Sequence, residues 1–229
     1  MNHRKLKKQV YILLASDDFD DAVHTLCRLP GRQVVNPLFS FLYHGCALIR
    51  WRAVAAIGEV VSLTARSEPE SARVVMRRLL WNLNDESGGI GWGSPEAMGE
   101  IMALSETMAR EFAHMLVSYV WPDGNFLEHE VLQRGVLWGI GRLAQERPAL
   151  TMDAAPFLIP FLTSGDPNHR GLAAWALSPM RNQTVIEPIA TLCDDPAEIE
   201  LFLNRQLVTR TVGQLAEEAL VILRTHGLA

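Results

Sequence analysis

Apolar positions along the chain recur at helical spacing. In the run from Arg50 to Leu63, Val54, Ile57 and Val61 fall on one face, the stripe expected of an amphipathic helix. Helix starts are marked in the same register. Ser94-Pro95-Glu96 offers a cap, a proline whose missing N–H costs nothing there, and an acid in the first turn. Asp166-Pro167 and Asp195-Pro196 repeat the device. Alternation of period two is confined to Glu198–Val208, where Ile199, Leu201 and Leu203 alternate with Glu200 and Phe202. This segment reads as an extended insert, a small hairpin turning at Asn204-Arg205. A continuous helix from Pro196 is the competing reading, because short apolar runs fit both periods. Otherwise the pattern predicts an all-α protein.

The helices read as copies of one another. With Ala53-Val-Ala-Ala-Ile-Gly58 as template, Ala97-Met98-Gly99 stands 41 residues on and Gly139-Ile140-Gly141 a further 42. Ala176-Leu177-Ser178 follows after 37 residues and Ala216-Glu217-Glu218 after 40. Proline opens the preceding apolar stretch at Pro37, Pro160 and Pro188. A period near 40 with two helices per unit marks an α-solenoid. The units fall at 32–66, 68–105, 106–147, 150–180 and 183–226, after a helix pair at 3–15 and 18–29. Residues 1–229 thus read as one solenoid domain, with an N-terminal cap (1–31), repeats (32–182) and an irregular last repeat (183–229) holding the insert near 198–208.

Asp166-Pro-Asn-His-Arg170-Gly-Leu-Ala173-Ala174-Trp-Ala176-Leu177-Ser178 resembles the second helix of HEAT repeats of the phycobilisome-lyase-like subtype, Asp-Pro-x-x-Arg-x-x-Ala-Ala-x-Ala-Leu-Gly. Arg50-Trp-Arg-Ala53-Val-Ala-Ala56-Ile57-Gly58 fits nearly as well without its Asp-Pro. The third unit has Gln133 at the arginine position with Arg134 beside it, and the second has Gly91. The resemblance implies about five HEAT-like helical pairs after the capping pair. It also implies a structural ladder in which Arg50 and Arg170 pair with acids of the adjacent repeat.

Composition narrows the function. Lys and Arg number 21 against 26 Asp and Glu, a formal charge of −5, which argues against a nucleic-acid partner. Cys27, Cys46 and Cys193 are far apart and form no C-x-x-C pair, which suits a reducing cytoplasm. The apolar run Val10–Ala15 is too short for a signal peptide or a membrane span. Gly91-Trp-Gly-Ser94-Pro95-Glu96 has the wrong glycine spacing for a nucleophile elbow, and a capping serine accounts for Ser94. Glu128-His129-Glu130 are contiguous, so a helix would splay them rather than aim them at one metal. No catalytic residue, metal or cofactor is called for.

The strongest anomaly is Asp85-Glu86-Ser-Gly88-Gly89-Ile-Gly91-Trp92-Gly93-Ser-Pro-Glu96. Its glycines cost conformational entropy that a tight turn does not require. The turns within repeats emerge on one edge, and several carry acids, with Trp92, Trp121, Phe126 and Phe202 adding aromatics. The expected contact residues are Asp85, Glu86, Trp92, Glu96, Trp121, His129, Arg52 and Arg134. They would recognise another protein through a cationic or amphipathic surface, with no membrane involved. The expected function is a non-catalytic binding scaffold or assembly adaptor. The family also implies an enzyme alternative, bilin lyase-like or DNA glycosylase-like.

Overall fold

The computed structural model describes residues 3–84 and 91–226. Its backbone gathers into two compact units, Met1–Met108 and Ala109–Ala229. In the first, α1 (His3–Leu14) and α2 (Phe19–Cys27) form the leading pair, followed by α3 (Gly31–Phe41) with α4 (Ala47–Ser67) and α5 (Pro69–Asn84) with α6 (Ser94–Leu104). Helices α7 (Glu106–Ser118) and α8 (Glu130–Glu146) follow. Then come α9 (Ala155–Leu158), α10 (Pro167–Leu177) and α11 (Ile186–Ala190), strands β1 (Glu198–Leu203) and β2 (Gln206–Thr211), and α12 (Val212–His226). The fold is an all-α solenoid of helical pairs.

Second helices pack on second helices: α4 on α6, α8 on α10, and α10 on α12. Small residues at the repeat template permit this. A Cβ on Gly58 would meet the Glu100 side chain, and one on Gly141 would enter the Trp175 ring. Leu38, Leu42, Ile57, Met76, Leu79, Met98 and Ile101 fill the interior of the first unit.

The first helices of the last two pairs are shorter than the periodicity predicts. Residues 148–163 run as three 3₁₀ turns around the single turn of α9, and α11 spans only Ile186–Ala190. Pro148, Pro156, Pro160 and Pro188 remove backbone donors in these stretches, and a helix interior tolerates that loss poorly.

Residues 198–211 are the hairpin. Leu203 pairs with Gln206, and Asn204 and Arg205 both take positive φ, 48° and 63°, as a two-residue hairpin turn requires. Ile199, Leu201 and Phe202 point into the protein. Phe202, expected on the exposed edge, is only 4% exposed. Its carbonyl accepts from the Trp138 indole at 3.1 Å, so the hairpin, packed on α10 and α12, also bonds to α8.

Candidate functional site

The arginine ladder is built from one repeated carboxylate. Asp166 caps α10: its Oδ1 accepts from the Asn168 backbone N–H at 2.9 Å, while Oδ2 accepts from Arg134 Nε at 2.6 Å. Asp195 divides its oxygens in the same way. Oδ1 takes the Ala197 N–H at 3.0 Å, and Oδ2 takes Arg170 Nε at 2.8 Å. Each Asp-Pro therefore starts its own segment and receives the arginine of the preceding repeat. Arg170 also donates to the Ser164 carbonyl six residues back, at 2.7 Å.

That second bond explains Gln133. Gln133 donates to the Leu127 carbonyl, again six residues back, at 2.7 Å. Gln133 and Arg134 thus divide between them the two bonds that Arg170 makes alone. Arg134, expected as a partner contact, is a rung of the ladder.

In the first unit the rung is half made. Arg50 donates to its own turn at the His44 carbonyl, 2.8 Å away and six residues back. The position before Pro95, where later repeats have Asp, is Ser94. Its hydroxyl is buried without a hydrogen-bond partner. Arg50 therefore makes the bond within its own turn but no ion pair with an acid of the next repeat among the described residues. The carboxylate near it is Glu96, whose Oε2 is fully covered and unbonded. Burial pushes the Glu96 pKa up to about 7, against the pull of its own backbone N–H and of Arg50.

The remaining expected contacts separate. Asp85 and Glu86 lie outside the described residues. Trp92 is half-exposed beside Gly93, which takes φ 73°. Arg52 donates to the carbonyls of Leu14 and Ser16, at 2.9 and 2.7 Å, and lies over the Phe19 ring. It fastens the leading helix pair to α4 instead of facing solvent.

In the second unit, the loop after α7 is tied back to the end of that helix. Asn125 and Leu127 donate their N–H groups to the Ser118 and Tyr119 carbonyls, at 3.0 and 3.1 Å, and Asn125 Nδ2 reaches Ser118 Oγ. From this fastened backbone Trp121 and Phe126 stand 43% and 39% exposed. One face of Trp121 is steadied by Phe157, with ring centroids 5.8 Å apart. Asp123, Glu128, His129 and Glu130 are exposed around them. His169 lies 3.3 Å from the Glu130 carbonyl. Together with the two rungs, this contact sets the turns at 121–130, 163–167 and 193–198 side by side. Asp194, Glu198 and Glu200 extend the exposed acids along that row. Among the described residues these acids make no ion pair.

Sequence reasoning missed the outer face of α5, where Trp81 is 72% exposed. The signal was available: the apolar stripe Ala72, Met76, Leu79, Leu83 leaves Trp81 off the core face. Among the described residues, no three His, Cys, Asp or Glu side chains gather as a metal site. No described helix is long and apolar enough to cross a membrane.

Residues 130–180, which hold α8, α10 and the Arg134–Asp166 rung, match the family model of the HEAT-like repeat. An uncharacterized protein of Archaeoglobus fulgidus is 28% identical over 190 residues, 80% of this chain and 93% of that one. An engineered protein superposes with a TM-score of 0.56 at 18% identity, covering 98% of both chains. A designed armadillo repeat protein in complex with the peptide (KR)4 gives 0.53 at 17% identity, covering 95% of this chain and 99% of that one. The chain thus carries a HEAT-like repeat at 130–180, within an all-α solenoid.

Proposed function

We propose that the chain is a non-catalytic protein-binding scaffold whose second unit offers an acidic, aromatic-bearing edge to a cationic or amphipathic segment of another protein. The observation that carries this reading is the 121–130 loop. Its backbone is tied to the end of α7, yet it exposes Trp121 and Phe126 among Asp123, Glu128 and Glu130. Aromatics held outward on a rigid loop lose little freedom on contact, and such residues dominate interface energies. The unpaired acids give the patch its sign, which selects partners and speeds encounter. The similar designed armadillo repeat protein is in complex with (KR)4, a peptide whose charge suits an edge of this kind. The glycosylase-like alternative would present tryptophans of the second helices to a base, whereas Trp138 is buried beneath the hairpin.

Titration of (KR)4 onto the full chain, followed by tryptophan fluorescence, tests this reading. Binding should weaken with added salt. It should fall by about tenfold or more in the Asp123→Lys, Glu128→Lys, Glu130→Lys variant. Failure to bind, or binding that ignores the charge reversal, would overturn the proposal.

A further inference from the structure

The outer face of α5 carries side chains that the core does not need. Its buried stripe is Ala72, Met76, Leu79, Leu80 and Leu83, and opposite it stand Val74, Arg77, Arg78 and Trp81. Positions 74, 78 and 81 follow the i, i+4, i+7 spacing of a single helix face. Beside this face a cleft of about 480 Å³ runs between α3 and α5, floored by Val61 and Thr64 of α4. Arg32 closes one end, its Nη2 3.0 Å from Ser71 Oγ. Arg78 closes the other, its Nη1 2.6 Å from Asn36 Oδ1. Between the two guanidiniums the walls are Val35, Val74 and Val75.

The charges there are not balanced. Arg77 is held by Glu70, and Arg32 by Glu68 at 2.8 Å. The Arg32 and Glu68 side chains are both more than half exposed, and ion pairs so exposed contribute little. A carboxylate from outside can replace Glu68 at small cost. Arg78 bonds neutral Asn36 and lies 4.1 Å from the Phe39 ring centroid. It makes no ion pair with a carboxylate among the described residues.

We infer that the α3–α5 cleft and the α5 stripe form a docking site for an acidic amphipathic protein segment, with its apolar side chain among Val35, Val74 and Val75 and its carboxylates on Arg78 and Arg32. A small anion in the cleft would leave Trp81 uncovered, whereas a peptide crossing from the cleft onto the stripe covers it. Trp beside Arg is the composition that most often carries binding energy. This surface lies in the first unit and has the opposite sign to the acidic edge. It stands or falls independently of that proposal.

The test is panning of displayed random peptides on the full chain. Selected peptides are then measured by fluorescence anisotropy against wild type, Arg78→Glu and Trp81→Ala, with circular dichroism confirming that both variants fold. The expected pool is rich in Asp and Glu flanking Leu, Ile or Phe. Each variant should weaken its binding by about tenfold or more, and Val75→Trp, which fills the cleft, should do the same. A pool with no acidic peptides would overturn the inference, as would acidic peptides indifferent to both surface variants. So would a wild type that recovers no peptide but binds an oligothymidylate through Arg78.

Discussion

Asp166 and Arg134, 32 residues apart in sequence, meet at 2.6 Å, with the carboxylate that starts α10 receiving the guanidinium of α8. Burial works to raise the Asp166 pKa, but bonds from Asn168 and Arg134 outweigh it and hold the group below its ordinary 3.8. The ionised form therefore stabilises the fold fully above that ordinary value, and the contribution is lost as pH falls through the lower folded one. Asp166→Ala should cost about 1–2 kcal/mol at neutral pH through lost capping and a lost charge-assisted bond. Asp166→Asn keeps an acceptor for Asn168 and should cost less. Urea unfolding should show the gap between wild type and the Asn variant closing in acid. An Asn variant as stable as wild type at neutral pH would contradict the rung.

Glu96 has the opposite pH dependence. The unfolded chain ionises it near 4.5, whereas the fold holds its proton to about 7. Between those values the unfolded state binds fewer protons, so stability falls as pH rises through the window, and the loss is complete above it. Glu96→Gln mimics the protonated side chain. It should match wild type at the acid end and exceed it above pH 7 by on the order of 3 kcal/mol. Denaturant midpoints across the range would measure this, and a gap independent of pH would count against the burial of the carboxyl.

The close approach of α8 to α10 depends on Gly141. A Cβ there would lie 2.5 Å from Trp175 Cε3, against a ring that backs onto Trp138 with centroids 6.2 Å apart. Gly141→Ala should lower stability by about 1–3 kcal/mol. Gly165→Ala, whose Cβ would meet nothing within 4 Å, should be neutral or slightly stabilising. Thermal unfolding of the two variants separates overpacking from the general effect of adding a methyl group.

The repeats were legible because the Asp-Pro starts and the small residues of the template serve packing directly, so their spacing appears in the sequence. The hairpin was legible from alternation and a turn at Asn204-Arg205, although alternation alone put Phe202 outside. Phe202 is instead buried, and its carbonyl bonds to Trp138 on a distant helix, which alternation cannot show. The shortening of α9 and α11 has its signal in the prolines, of which Pro160 and Pro188 also open the apolar stretches that predict full helices. The division of one arginine's work between Gln133 and Arg134 was not legible, since it depends on a carbonyl six residues back that only the folded turn presents. Asp85 and Glu86 lie outside the described residues, so the proposed contact edge rests on 121–130, where exposure as well as residue type marks it.

The most direct test places a photo-crosslinking phenylalanine analogue at Phe126, with Val221 on the exposed face of α12 as the control position, in native extract of the source cells. One protein should crosslink at Phe126 and not at Val221, through a basic or amphipathic segment. That crosslink should be lost in the Asp123→Lys, Glu128→Lys, Glu130→Lys background. Equal crosslinking at both positions, or a crosslink that survives the charge reversal, would contradict it.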